Sequence, residues 1–186
     1  MAIKNIVYPD MRADIVQTAR IFAANKGGGH MHYTQDLAKR LAFEHLGQLV
    51  WPIETDCSGF FTMLYYVNGC LDPNKAGYRG WGNTATLITG GKQIPMAKVR
   101  PGDAVIYGAG GGDHVAIVVE VHGTNIMTLS HGQEGDPSYV WVNKPTGLIL
   151  PQNQGVKAVD GRTPQRFFTY DTTKRRQKIA LPPLKA

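Results

Sequence analysis

The sequence is poor in cysteine, and this argues against a disulfide-stabilised domain. Only two of its 186 residues are cysteines, Cys57 and Cys70. If a helix joins them, its rise of about 1.5 Å per residue separates the two by roughly 20 Å, whereas a disulfide needs Cα atoms within about 7 Å. We therefore expect both thiols to be free, which is typical of a protein made in a reducing cytoplasm.

Other absences exclude further classes of protein. No run of about twenty apolar residues is present, so the sequence predicts no membrane insertion. Residues 1–20 mix charged with apolar side chains and lack the apolar stretch of a secretory signal, so we expect synthesis in the cytoplasm without a signal peptide. Neither an internal repeat nor a nucleic-acid-binding motif is visible, which argues against a nucleic-acid partner.

The charge is moderately basic. Lys and Arg number 20 against 14 Asp and Glu, which gives a net charge of +6. The excess is concentrated at 174–178, and a basic segment of this kind can bind an acidic surface. Two prolines near the C-terminus predict poor order there. We therefore expect one domain over residues 1–170 and a basic, flexible tail over residues 171–186.

Helical patterns precede strand patterns along the chain, which predicts the α+β class rather than a parallel α/β sheet. The spacing of apolar residues predicts helices over 13–26 and 34–46, the second with Thr34 as N-cap. A third helix is predicted over the apolar run 58–68. Strands are predicted at 104–107, 114–121, 126–130, 139–142 and 166–170.

The third helix gives Cys57 a chemically distinctive position. Asp56 is a favourable N-cap, and Gly69 is a favourable residue just beyond the C-terminus. Cys57 then lies in the first turn, where unpaired amides and the positive end of the helix dipole favour a thiolate. Gly59 inside the helix costs about 1 kcal/mol relative to alanine and predicts a close backbone approach. The competing interpretation is a cysteine that only packs, which is our prediction for Cys70.

Two of the six histidines are separated from the others by strand geometry. The segment from His114 to His131 predicts a β-hairpin around a central turn. With Val121 opposite Ile126, His114 becomes the diagonal neighbour of His131 on one face of the sheet, about 7 Å away. A shift of one residue in the register would place the two rings on opposite faces.

These positions define roles for a cysteine nucleophile and its partners. Cys57 attacks a carbonyl carbon, His114 takes or holds the proton, and His131 orients His114 through its second ring nitrogen. The order of cysteine, histidine and a third polar residue is one of several that satisfy triad geometry. Three other residues could take the third place: Asp113, Gln133 and Glu134.

Three motifs occur in an order that resembles the NlpC-type cell-wall cysteine peptidases. They are Asp56-Cys57-Ser58-Gly59-Phe60, Arg100-Pro101-Gly102-Asp103-Ala104-Val105-Ile106-Tyr107 and His114-Val115-Ala116-Ile117-Val118, followed by Ser130-His131-Gly132. The resemblance covers residues 30–142. It implies a papain-like α+β fold, with helices packed on an antiparallel sheet, the nucleophile at a helix N-terminus and no cofactor. It also implies hydrolysis of peptide bonds in the stem peptides of bacterial peptidoglycan.

The resemblance further implies roles for three residues near the cysteine. Tyr33, which lies further upstream than the family's usual tyrosine, is the expected oxyanion or substrate contact. Asp56 and Ser58 are expected to bind the stem peptide. The bond that such enzymes mostly cut joins D-glutamate to the diamino acid. The alternative is amidase cleavage between the sugar lactyl group and L-alanine.

Two loops look most like those of bacteriophage-encoded members of the group. They are the glycine-rich loop 108–112 and the segment 130–134. This likeness predicts a phage lysin that is made in the host cytoplasm and acts on the bacterial cell wall. A phage holin or the virion would then deliver it.

Two other function classes stay open. His30 and His32 have the spacing of one face of a strand, and His131 or Asp113 could join them around a metal ion. No H-E-x-x-H or paired C-x-x-C motif accompanies them, so our prediction is that the site holds no metal. A catalytically silent wall-binding or virion structural module would keep the fold and bind peptidoglycan without thiol-dependent turnover.

Overall fold

The computed structural model describes residues 9–24, 30–132, 137–144 and 165–175. The helices in these ranges are α1 (Arg12–Ala24), α2 (Cys57–Val67) and α3 (Thr84–Gly90). The strands are β1 (Met31–Tyr33), β2 (Ile53–Thr55), β3 (Lys92–Ile94), β4 (Ala104–Tyr107), β5 (His114–His122), β6 (Asn125–Ser130), β7 (Ser138–Asn143) and β8 (Gln165–Thr169). Short 3₁₀ helices lie at Phe43–Gln48 and Met96–Lys98. The predicted α+β class is confirmed.

Six strands form one antiparallel sheet in the order β3-β8-β4-β5-β6-β7, while β1 and β2 form a separate parallel pair. The five strands predicted from the sequence are all present and begin and end within a residue of the predicted bounds. The sequence does not predict β1, β2, β3 or α3. Strands of three residues and a helix of seven are too short to show a clear periodicity.

Each face of the large sheet carries an apolar core. On one face, α1 and α2 pack against alternate residues of the central strands, including Ile106, Ile117 and Leu129. The opposite face has its own cluster, which includes Val118. Every residue of α2 except Tyr66 is buried, as its apolar sequence predicts. Each large apolar side chain removed from water in this way contributes about 1.5–3 kcal/mol.

The second predicted helix, with Thr34 as its N-cap, is wrong. Residues 34–42 contain turns, and Phe43–Gln48 forms only a 3₁₀ helix. The Thr34 hydroxyl accepts a hydrogen bond from the Asp36 amide (3.1 Å), and the Asp36 carboxylate accepts one from the Ala38 amide (3.0 Å). Side-chain acceptors of this kind compete with the helical hydrogen-bond pattern.

The first predicted helix is present as α1, and its predicted end lies outside the described residues. None of the helices in the described part of the chain has both the length and the apolar character needed to cross a membrane.

After β8 the chain returns to the residues that precede α1. Thr172 donates its hydroxyl proton to the Asp10 carboxylate at 2.6 Å. The Arg175 amide donates to the Gly69 carbonyl, just beyond α2, at 2.8 Å. Residues 171–175 of the predicted tail are therefore joined to the domain. The rest of that tail lies outside the described residues.

Candidate active site

Helix α2 begins at Cys57, and Asp56 is its N-cap, as predicted. The Asp56 carboxylate accepts a hydrogen bond from the Gly59 amide at 2.7 Å. This bond satisfies one of the amides that a helix start leaves without an intrahelical partner. Cys57 is 4 % exposed, and both cysteines are free. The structure thus has a buried thiol at the positive end of a helix dipole.

Gly59 allows two neighbouring groups to approach the first turn of α2. A Cβ at this position would overlap the Thr55 hydroxyl and would lie 3.3 Å from the Arg40 guanidinium. Thr55 is the last residue of β2. The close approach predicted from Gly59 is confirmed.

Arg40 is the main residue of the site that the sequence did not predict. Its guanidinium pairs with the Asp56 carboxylate at 2.7 Å and donates to the Ser58 hydroxyl at 3.2 Å. Ser58 in turn donates to Asp56 at 2.9 Å. The side chains of Arg40 and Asp56 are only 4 % and 10 % exposed. Asp56 and Ser58 therefore have internal partners, and their contact with substrate stays a prediction.

Tyr33 reaches the site through the small parallel sheet. β1 pairs with β2 so that Tyr33 lies opposite Thr55, two residues before Cys57. Burial, together with the negative charges of Cys57 and Asp56, raises the pKa of Tyr33 to about 12. The hydroxyl therefore stays protonated at neutral pH and keeps a proton to donate.

His131 lies against the same end of α2. Its ring meets the ring of Tyr33 edge-on, with centroids 5.5 Å apart. It also meets the ring of Phe60, one turn after Cys57, with centroids 6.0 Å apart. Phe60 also belongs to this group of side chains at the start of α2. The sequence indicated it only as the last residue of the motif 56–60.

The hairpin formed by β5 and β6 has the predicted register only near its turn. Val121 pairs with Ile126 as predicted, but a bulge after Val118 shifts the pairing by one residue for the rest of the hairpin. The prediction that His114 and His131 are diagonal neighbours on one face rests on the unshifted register. That part of the prediction is wrong.

Beyond the bulge, the alternation of side chains along each strand decides on which face of the sheet the rings of His114 and His131 lie. Ile117 pairs with Leu129, and both belong to the core under α2. His131 lies two residues after Leu129 and follows the same face. His114 lies three residues before Ile117 and follows the opposite face, where its ring stacks on Tyr107 with centroids 6.1 Å apart.

The structure therefore brings Cys57, Tyr33 and His131 together. His114, which is 2 % exposed, is the first residue of β5, the strand next to them. The roles of His114 as base and of His131 as orienter stay predictions. Asp113 immediately precedes β5. The other two candidates for the third place, Gln133 and Glu134, lie outside the described residues.

The alternative metal site is not assembled. His30 is buried, with its ring 5.1 Å from that of Trp51. His32 is exposed at the surface, and its Nδ1 lies 3.0 Å from the Glu54 carboxylate. Over the ranges that the structure describes, no group of three or more His, Cys, Asp or Glu side chains could hold a metal ion.

Comparison with known proteins identifies the family. The model of the NlpC/P60 family matches residues 40–155, which is more than half of the chain. The chain belongs to the NlpC/P60 family. No curated protein and no solved structure gives a match. The resemblance to NlpC-type peptidases inferred from three motifs is confirmed.

Membership of the NlpC/P60 family gives the general chemistry and the general fold. Members are typically cysteine peptidases that act on peptidoglycan, so the match supports a peptidoglycan hydrolase. It also implies the papain-like fold, in agreement with the α+β structure. Tyr33 precedes the matched range, so its role depends on its position beside Cys57.

Proposed function

We propose that the protein cleaves the stem peptide of bacterial peptidoglycan with Cys57 as its nucleophile. One observation carries this proposal. The thiol is the first residue of a capped, buried helix, and the rings of Tyr33 and His131 lie at the same end. The amides of the first turn and the helix dipole favour the thiolate there.

The proposed reaction passes through a thioester. The Cys57 thiolate bonds to the carbonyl carbon while His114 holds the proton, and the oxyanion accepts hydrogen bonds from the Cys57 amide and the Tyr33 hydroxyl. The carbon–nitrogen bond then breaks, and the leaving amine takes the proton from His114. Water, deprotonated by His114, hydrolyses the thioester to a carboxylate and the free thiol. The family resemblance assigns the base to His114 and the orientation of that ring to His131. Because strand alternation directs the two rings to opposite faces of the sheet, His131, which lies beside the start of α2, is the alternative base. No cofactor takes part.

The proposed scissile bond joins D-glutamate to the diamino acid. This choice follows the family resemblance. Asp56 and Ser58 support catalysis in this proposal by holding the start of α2, because both carboxylate oxygens of Asp56 accept internal hydrogen bonds and Ser58 donates one of them.

Mass analysis of fragments released from purified peptidoglycan tests the proposed bond. We expect fragments with a new N-terminal diamino acid. Fragments with a new N-terminal L-alanine would establish an amidase and defeat the endopeptidase assignment. Binding of peptidoglycan without release of any fragment would identify a catalytically silent wall-binding or virion module and overturn the proposed function.

We also propose that the protein is a phage lysin that reaches the cell wall through a holin pore. The likeness of its glycine-rich loop 108–112 to phage-encoded members supports this. When the protein is made inside bacteria, we expect lysis only if a holin is made as well. Lysis without a holin would contradict this route, and lysis by purified protein added from outside would favour delivery on a virion.

A further inference from the structure

We infer that Trp81 is a substrate-binding residue whose indole forms an apolar platform beside the candidate active site. The inference deepens the proposed function and rests on it. Trp81 is 37 % exposed, although it is a large apolar side chain. Its position, its rigid backbone and its hydrogen bonds together distinguish it from an incidental surface residue.

The backbone on both sides of Trp81 is fixed. The Gly80 amide donates to the Glu44 carboxylate at 2.8 Å, and the Gly80 carbonyl accepts from the Phe43 amide at 2.9 Å. Gly82 has a φ of +59°, a value that residues other than glycine rarely adopt. A Cβ at this position would lie 2.9 Å from the Phe43 ring. The backbone that carries Trp81 is therefore held in place by its neighbours.

Arg40 joins Trp81 to the start of α2. Its guanidinium donates to the Trp81 carbonyl at 2.6 Å and to the Gly82 carbonyl at 3.2 Å. The indole N–H donates back to the Arg40 carbonyl at 3.2 Å. The same guanidinium pairs with Asp56, which caps the helix that begins at Cys57. The polar atom of the indole is thus satisfied, and its exposed surface is apolar.

The residues after Trp81 reach the loop that precedes His114. The Thr84 hydroxyl, at the start of α3, donates to the Gly112 carbonyl at 2.9 Å. Gly112 lies two residues before His114. Trp81 is therefore part of a short segment with one end tied to the cap beside Cys57 and the other tied to the loop that leads into His114.

The loop that carries Trp81 is also held at its base. The Asp72 carboxylate accepts a hydrogen bond from the Tyr78 amide at 2.9 Å. The Asn74 side chain links α2 to α3, since it donates to Thr62 at 2.9 Å and accepts from Thr86 at 2.7 Å. A surface that is already ordered loses little conformational entropy when a ligand binds.

The chemistry of the platform defines the part of the substrate that it fits. An indole ring binds a flat apolar face through dispersion and through burial of apolar area. In a peptidoglycan fragment, such a face is offered by the C–H face of a saccharide ring or by the aliphatic chain of the diamino acid. Fragments with and without the disaccharide distinguish these two sources.

Kinetics of Trp81→Ala and Trp81→Phe test the platform. We expect Trp81→Ala to raise KM about tenfold, which corresponds to about 1.4 kcal/mol, with kcat within about twofold of wild type. Trp81→Phe should keep most of the affinity, because it restores an aromatic face. Trp141→Ala is the matched control, since that indole lies on β7 against His122, and its KM should stay unchanged.

Binding without turnover separates this inference from the proposed function. In the Cys57→Ala background, calorimetry gives the Kd of a disaccharide tetrapeptide and of the sugar-free tetrapeptide. Weaker binding of both after Trp81→Ala indicates the diamino acid, and weaker binding of the disaccharide form only indicates the sugar. Unchanged Kd and KM would overturn the platform while thiol-dependent hydrolysis stands. A wild-type protein that hydrolyses nothing would refute the proposed function, yet a Kd that depends on Trp81 would still support the platform.

Discussion

The two ends of α2 carry similar residues in different backbone surroundings. Each end has a buried cysteine, Cys57 at 4 % exposure and Cys70 at 1 %. Each end also has a largely buried ion pair at 2.7 Å: Arg40–Asp56 beside the start, and Arg12–Asp103 beside the end, where the Tyr65 hydroxyl donates to the Gly102 carbonyl.

At its C-terminal end the helix is closed by its own backbone. The Gly69 amide donates to Tyr66 and the Cys70 amide donates to Tyr65, both at 3.0 Å, and Gly69 has a φ of 75°. This is the Schellman arrangement, which satisfies the last carbonyls. The Cys70 thiol donates to the Thr172 carbonyl at 3.5 Å, at the negative end of the helix dipole.

At its start, α2 offers amides and positive potential to Cys57, with Tyr33 and His131 beside it. Burial and a neighbouring ion pair are common to both ends. The two ends differ in the sign of the helix-dipole potential and in the aromatic and histidine rings that lie nearby. We therefore expect Cys57, and not Cys70, to be the reactive thiol.

Exchange of the two cysteines for alanine should give the largest contrast. We expect Cys57→Ala to lower peptidoglycan hydrolysis by about 10⁴-fold or more, because the nucleophile is lost. Thermal unfolding should change little. Cys70→Ala should keep most of the activity, measured as soluble fragments released per unit time. Equal activity of wild type and Cys57→Ala would remove the difference between the two ends.

The two histidines should give the next largest effect. His114→Ala should lower kcat by about 10²–10⁴-fold and slow the alkylation of Cys57 by iodoacetamide at neutral pH, because the imidazole no longer takes the thiol proton. His131→Ala should cost less, because it disturbs orientation and leaves proton transfer in place. The reverse order would assign the base to His131, which lies on the same sheet face as α2.

Removal of one or the other ion pair should give the smallest difference in activity between the two ends of α2. The two removals should lower the stability of the protein by similar amounts. Arg40→Gln and Arg12→Gln each leave a buried carboxylate without its partner, which destabilises by about 3–5 kcal/mol. Only Arg40→Gln should alter the rate of Cys57 alkylation at neutral pH, because the carboxylate of its partner Asp56 caps the helix that begins there. Identical alkylation rates for the two folded variants would reduce Arg40 to a structural residue.

The sequence by itself determined the features that depend on near neighbours. Helix α2, its cap Asp56 and the glycine at its end follow from local hydrogen bonds and an apolar run. The strands of the hairpin follow from alternation, and the family follows from three ordered motifs. The false helix after Thr34 shows the limit of such inference, because local side-chain acceptors overrode the helical spacing of the apolar residues.

Only the tertiary structure decided which side chains meet at the start of α2. Arg40 reaches Asp56 from a turn segment, and no periodicity encodes a hydrogen bond between distant parts of a chain. The bulge after Val118 shifts the register of the hairpin by one residue, and it therefore decides which face of the sheet His131 follows relative to His114. Trp81 likewise gains its place from contacts with Arg40, because packing between segments, rather than spacing within them, fixes the position of a loop.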